Sequence, residues 1–526
     1  MPEALTALID LPLAWKRVRL DLTQGRLFAP HPYEQQLIEF DVDSYLRNIE
    51  DSLRHGHYSP DVLRVCNVPK PNGAVRPGAI LSSRDQIVYA ACLGACFQRI
   101  RTALSWPPNR IDFSYPLSDQ LDSKEWIGNH FHSWSQFRTR SISAIDDGAD
   151  YVVMADVAGY YENIDLSLLI SDLREIGIER DLIQQISQCL NRWSTSNRGI
   201  PQGFSPSDIL GKLYLNEIDR GLAERNYNHI RYVDDYRIFC EDLPQARLAL
   251  MDLVKLFRRR GLVIQTAKSR IFTSEEARER IDGIQPILQE VLGNFIHEVA
   301  EIFAIDQSYF LLGDAEQILM DNPDDAPIEI IRDAFERFFV RQEQPFDKTL
   351  FRFLLGRLGN ARDNSVLTHV LTCLRSHPEE THTVLQYIDS VGEQDAAEED
   401  IVSSLNALDS VYPYQNYQII RWSTQRDASP INRFRTLVRF LLFETKIPRY
   451  LRLACMEFLA RFGSSADIDR IEERFEDATS DLDRAEVICA IRNMEVGRRN
   501  TILGRFPAND GYAARAVRLV RSRQII

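Results

Sequence analysis

No apolar run in this 526-residue chain reaches the roughly 18 residues that a membrane span needs. The chain opens Met1-Pro2-Glu3, without a basic stretch before an apolar core, so no secretion signal is expected. Its eight cysteines are scattered and form no Cys-x-x-Cys pair, and its ten histidines do not fall into zinc spacing. Reduced, buried thiols in a cytoplasmic protein are the expectation. Positive charge is scarce too. The formal charge is −14, divided as −2 over residues 1–270 and −12 over residues 271–526. A protein that tracks long nucleic-acid duplexes is usually basic, because neutralised phosphates supply its affinity. Any nucleic-acid contact here is therefore local, short, or held by other means. A hydrophobic content of 44% with 26% charged residues fits a soluble globular chain, and the length asks for two to four domains.

What the chain does have is a run of strand formers split by two acids, Arg231-Tyr232-Val233-Asp234-Asp235-Tyr236-Arg237-Ile238-Phe239. It reads as a β-hairpin with carboxylates at its tip. Adjacent carboxylates repel, so water or a cation must stabilise them, and the stretch alone leaves both open. Other segments bear on the choice. Val65 to Pro77 holds two short strands around a Pro71-Asn72-Gly73 turn, with Lys70 and Arg76 on either side of the tip. Such a hairpin suits a triphosphate, although a solvent-exposed basic turn would look the same. Arg84-Asp85-Gln86 then begins an apolar helix running to Ile100.

Residues 151–155 read as an apolar strand ending in Asp156, followed by a turn with Gly159 and a helix. An acid delivered by a buried strand is where a metal ligand is expected. Asp165 fits the cap of a helix beginning at Leu166. Gly199-Ile200-Pro201-Gln202-Gly203 is a rigid loop leading into a helix over Asp208–Asp219, and a base or sugar can approach such a backbone closely. A plain loop-helix junction has the same look. After the helix Leu243–Arg260, the stretch Gly261 to Arg270 reads as a turn, a strand and a loop carrying Lys268.

Asp156 can meet Asp234 and Asp235 across adjacent strands. Three carboxylates at one sheet edge suit two hard cations, and two such ions suit in-line phosphoryl transfer. Lys70 and Arg76 would then hold a triphosphate and Lys268 would protonate the leaving group. The chemistry is nucleotidyl transfer.

Residues 1–60 read as mixed helices in which Tyr33, Tyr45 and Tyr58 are either ordinary packing or partly exposed. From about residue 276 amphipathic helices follow one another, among them Ile328–Arg341, Lys348–Leu358, Ser365–Leu374, Thr383–Ser390, Phe434–Glu444, Tyr450–Phe462, Ala466–Phe475 and Asp481–Arg492. Short loops between them suggest stacked pairs in a HEAT-like array. Glu393–Asp400 reads as an acidic loop, and Arg515–Arg523 as an exposed basic helix face, with a contact to nucleic acid as the alternative.

Tyr232-Val233-Asp234-Asp235 resembles the catalytic box of reverse transcriptases. Ala155-Asp156 through Asp165, Arg198 through Asp219, Lys70 through Arg84, and Gly261 through Lys268 resemble further motifs of that family, in its order. The resemblance covers roughly residues 65–272. It implies an α+β right-hand polymerase: an N-terminal helical extension over 1–60, fingers and palm with an antiparallel palm sheet over 61–275, and an all-α, HEAT-like domain over 276–526 in place of a thumb. It implies Asp156, Asp234 and Asp235 as catalytic ligands of two Mg²⁺ ions, with Mn²⁺ able to substitute. It further implies Tyr161 as an aromatic gate favouring deoxynucleotides, and Gln202 and Gly203 as nucleotide or template contacts. Lys70, Arg76 and Arg84 would bind dNTP phosphates, and Lys268 would act in catalysis.

No thumb or maturase segment, His-rich nuclease motif or retron-type Val-Thr-Gly signature is recognisable. The acidic helical half instead resembles abortive-infection and other defence-associated reverse transcriptases of bacteria. That implies antiphage defence, template-independent synthesis of single-stranded DNA, priming from a protein tyrosine, and a homo-oligomer. Tyr33 and Tyr45 are candidate primers. A template-copying enzyme serving a non-coding RNA, or an idle polymerase fold used as a binding module, are the alternatives.

Overall fold

A computed structural model describes residues 2–23, 27–29, 33–106, 110–128, 130–282, 328–342, 345–406, 411–473, 481–505 and 511–522. The helices expected between 283 and 327, and the end of the basic tail at Arg523, lie outside the described residues. The chain forms two compact units, neither contiguous in sequence: residues 1–27, 46–64 and 79–326 make one, and residues 28–45, 65–78 and 327–526 the other.

The described strands are β1 (Arg64–Pro69), β2 (Val75–Ile80), β3 (Tyr151–Ala155), β4 (Asn228–Tyr232), β5 (Asp235–Cys240) and β6 (Arg270–Thr273). The last four make the sheet of the first unit, in the order β4-β5-β3-β6 and antiparallel throughout. β3 is central and apolar, with Val152 and Val153 fully buried. Alternation sends successive residues of β5 to opposite faces. Tyr236 goes to one face, edge-on to Phe257 of the helix Leu243–Arg259. Arg237 goes to the other, where it donates to Ser141 Oγ at 2.8 Å and lies over the Phe137 ring of the helix His130–Asp146.

Local chemistry accounts for the flanking helices. Ser82 caps the helix Ser83–Leu104 by accepting from the Asp85 N–H. Asp165 caps Leu166–Glu175 by accepting from the Ser167 and Leu168 N–H groups, as its sequence position predicts. The helix Ser205–Ala223 is buried along most of its length and carries Pro206 in its first turn.

One strand expectation fails. The stretch after Gly261 forms only a single bridge, Ile264 to Val157. Its Val263 carbonyl accepts from Ala158 N–H and its Gln265 N–H donates to the Asp156 carbonyl. It thus pairs with the few residues over which the chain leaves β3 and turns toward Tyr160, too short a track for a ladder. The edge strand is β6, a few residues later.

β1 and β2 form the expected hairpin, turning at Gly73 with φ 75°. In the second unit, the helices Lys348–Asn360, Thr381–Val391, Pro413–Gln425, Arg449–Phe462, Asp481–Ala490 and Tyr512–Ser522 pack each against the next. Arginines tie neighbouring helices to acids roughly one helix pair away, as in Arg352–Glu380, Arg439–Asp467 and Arg449–Glu486. The acidic segment from Glu393 is not a loop. Gln394–Asn406 is a helix, because Ala397, Glu398, Ile401 and Val402 make a buried helical stripe while Asp395 and Glu399 pair with Arg426 and Arg433. Arg515 is likewise no surface cation: it is 2% exposed, bonded to the Asp41 carbonyl and Ser44, and lies over the Tyr45 ring.

Candidate active site

β3 ends at Ala155, which pairs with Tyr236 of β5, so the next residue, Asp156, comes to stand beside Asp235. Directly opposed residues of antiparallel strands share a face. The Asp156 N–H donates to Ser269 Oγ at 3.1 Å and Lys268 Nζ lies 3.1 Å from its Oδ2. Burial pushes the Asp235 carboxyl up to about 6; Arg237 opposes this, the Asp156 charge adds to it, and Lys268 opposes it. Arg237 Nη2 is 3.7 Å from Asp235 Oδ2. Two carboxylates are thus held together against their repulsion, with one lysine and one arginine as counter-charges.

Tyr232 pairs with Asp235, leaving Val233-Asp234 as a two-residue loop. Val233 has φ 54°, a costly conformation for a β-branched residue. Asp234 is 1% exposed, and its charge is felt by the buried hydroxyl of Tyr160. Among the described residues no three His, Cys, Asp or Glu side chains are grouped to hold a metal ion. The acids brought together are Asp156 and Asp235. Their donors are all oxygen, and their paired negative charge matches a hard divalent cation.

Tyr161 lies in the short helix Tyr160–Asn163. It is 4% exposed and donates to Asp208 Oδ1 at 2.7 Å. Its carbonyl accepts from the Ile200 N–H, which lays the Gly199–Gly203 loop beside it. In that loop Gln202 is half-buried and Gly203 has φ 97°, a turn that disfavours any other residue. Arg84 donates to the Ser59 carbonyl at 2.9 Å and lies 3.7 Å from Asp85. Lys70 and Arg76 are on the β1–β2 hairpin, whose residues 65–78 count with the second unit.

The three tyrosines singled out near the N-terminus are all buried. Tyr33 OH accepts from Arg492 at 2.5 Å, Tyr45 OH shares a hydrogen bond with Tyr512 OH, and Tyr58 OH donates to Asp85 at 2.9 Å. Burial raises the Tyr33 and Tyr58 hydroxyls well above their ordinary values, so neither is poised as a nucleophile in this conformation.

Sequence reasoning passed over Arg231 and Arg237. The signal was present: a basic residue on each side of the acids inside an otherwise apolar strand run must be buried and paired.

A family model described as reverse transcriptase (RNA-dependent DNA polymerase) matches residues 68–300. A reverse transcriptase domain is present. Protein YkfC of Escherichia coli (strain K12) is 28% identical over 190 residues, 34% of this chain. The match spans 46% of the length of YkfC. Two telomerase structures in complex with a TWJ fragment of telomeric RNA align at a TM-score of 0.30. That from Candida albicans is 11% identical, with 70% of this chain and 64% of its own covered. That from Candida tropicalis is 12% identical, with 65% and 64% covered. Scores that low say nothing further about this chain. All three acids, Tyr161, Gln202, Gly203 and Lys268 fall inside the reverse transcriptase domain. No described helix is long and apolar enough to cross a membrane.

Proposed function

We propose that the protein is a DNA polymerase of the reverse transcriptase kind, adding dNTPs by nucleotidyl transfer at Asp156, Asp234 and Asp235. The observation that carries this reading is the pair Asp156–Asp235 on neighbouring strands with Lys268 on Asp156. Asp156 and Asp235, joined by Asp234 from the loop, would hold Mg²⁺ or Mn²⁺, which supplies charge neutralisation and an acidified hydroxyl. Lys268, exposed and able to swing from Asp156, donates a proton to the leaving pyrophosphate. The Tyr161 ring, fixed by Asp208, packs under the sugar and disfavours a 2′-hydroxyl. Gln202 and Gly203 present backbone and amide to the base, and Arg84, Lys70 and Arg76 take the phosphates.

The setting we propose is bacterial antiphage defence of the abortive-infection kind, in a homo-oligomer in the cytoplasm. Synthesis is template-independent and primed from a tyrosine, leaving single-stranded DNA attached. The acidic charge of −12 over residues 271–526 supports it, since a polymerase without a long bound duplex needs few basic contacts. Tyr33 and Tyr45 are weakened as primers by their burial. The second reading, copying of an RNA template, is favoured by the description of the matching family. Incubating purified protein with single dNTPs and Mg²⁺ or Mn²⁺, with and without added RNA, separates the two. Asp234→Ala should abolish incorporation, and synthesis persisting in that variant would remove the site assignment. Nuclease digestion and mass spectrometry of protein purified from cells tests for attached DNA.

A further inference from the structure

A buried side chain with no place in the chemistry above ties the acid loop to the fold. Arg231, on β4, is 1% exposed. Its Nε donates to both carboxylate oxygens of Asp219, at 3.1 and 2.9 Å. Its Nη2 donates to the Lys212 carbonyl at 3.4 Å and lies 2.8 Å from Asp112 Oδ2. Its Nη1 donates to the carbonyl of Val233 at 3.0 Å. The main chain of Arg231 is fixed too: its N–H donates to the Ile111 carbonyl and its carbonyl accepts from the Phe113 N–H. The guanidinium therefore spans the helix Ser205–Ala223, the segment 111–113, and the residue whose backbone is strained at φ 54°.

A planar fork with five donors can hold these partners at once, where a point charge cannot. Val233 gains nothing locally from a left-handed conformation; as a β-branched residue it loses. The two-residue hairpin closed by the Tyr232–Asp235 pair asks for a positive φ at its first loop position, which Val233 adopts against its β-branched preference, and the Arg231 guanidinium adds a side-chain donor on its carbonyl. The φ of Val233 in turn decides where the next two residues, Asp234 and Asp235, point. We infer that Arg231 is a positioning residue: it clamps the Val233 carbonyl and so sets the geometry of the two acids. For activity the inference rests on the proposed polymerase reading; for loop geometry it does not.

Arg231→Lys keeps a cation for Asp112 and Asp219 but loses the fork that reaches Val233. Its kcat for dNTP incorporation should fall about tenfold, of the order of one lost hydrogen bond that holds the acids in place, with KM for dNTP changed by less than about twofold. Adding Val233→Gly should recover most of that kcat, because glycine accepts the left-handed conformation without a clamp. A merely structural loss would not be cured by glycine. Hydrogen–deuterium exchange gives a readout that needs no activity: in Arg231→Lys, amides over residues 229–238 should exchange faster while the rest of the sheet does not. Wild-type kcat in Arg231→Lys, failure of Val233→Gly to recover it, or unchanged exchange over 229–238 would each overturn the inference. Should the wild-type protein incorporate no dNTP, the polymerase reading fails and the exchange comparison alone decides the clamp.

Discussion

Removing the lysine beside Asp156 should push cation binding and turnover in opposite directions. Lys268 Nζ is 3.1 Å from Asp156 Oδ2, with the lysine side chain 62% exposed and the aspartate 18%. A pair this open to solvent is worth at most about 1 kcal/mol, or about fivefold in an equilibrium constant. A divalent cation entering between Asp156 and Asp235, as proposed, would have to break that pair. Lys268→Met removes the competitor, so Mn²⁺ should bind up to about fivefold tighter. The Asp235 carboxyl is pushed up to about 6 with Lys268 in place, and losing the lysine raises it further, so the affinities are compared at a pH well above that range. Titration therefore does not obscure the comparison. If Lys268 also delivers the proton to pyrophosphate, kcat should fall by about a hundredfold or more, the usual share of a general acid. Lys268→Arg separates the two effects: it restores the competing charge and hence the weaker Mn²⁺ affinity, but hardly the proton. Free Mn²⁺ followed by its paramagnetic resonance gives the affinity, and single-turnover incorporation gives the rate. Weaker Mn²⁺ binding in Lys268→Met would refute the competition, and an unchanged rate would refute proton donation.

Three further outcomes follow from the geometry. Tyr161→Ala should raise the use of ribonucleotides relative to dNTPs at least about tenfold in kcat/KM, while Tyr161→Phe, which keeps the ring and loses the 2.7 Å bond to Asp208, should keep the discrimination at a stability cost of about 1 kcal/mol. Asp85 is fully buried and its carboxyl is pushed up to about 6 by burial. The folded state thus binds more protons than the unfolded between about pH 4 and 6. Its contribution to stability grows as pH falls, by about 1 kcal/mol from pH 7 to pH 5, and denaturant titrations of Asp85→Asn should lack that increment. Gly78→Ala would place a Cβ 2.6 Å from Phe28 Cγ and 2.8 Å from Cys66 Sγ; a loss of about 1–3 kcal/mol is expected, and an unchanged melting temperature would show that the neighbours yield freely.

Strands β3, β4 and β5 were legible because they carry their own signals, β-branched runs and acids at strand ends, and the β1–β2 hairpin was legible from its Pro-Asn-Gly turn. Which acid opposes Asp156 was not legible. That depends on the loop being two residues long, since a shift of one residue would exchange the faces of Asp234 and Asp235. The strand expected after Gly261 failed because pairing needs a partner of equal length, and the partner here bends away at Asp156. Glu393–Asp400 was misread as a loop from its charge alone; the arginines that balance it, Arg426 and Arg433, come from a different helix. The partners of Arg231 were missed in part for the same reason, as Asp112 lies far from it in sequence.

The second unit draws its residues from both ends of the chain, and that bears on how it is made. Tyr33 and Leu37 share one buried cluster with Ala485, Ile488, Leu503, Ala516 and Val520. During synthesis the early half of this cluster leaves the ribosome long before its partners exist. It must wait, exposed or shielded by something else, until the helix Tyr512–Ser522 has been translated. A chain cut short after the reverse transcriptase domain would carry that apolar surface uncovered. Such a product would be prone to association or degradation.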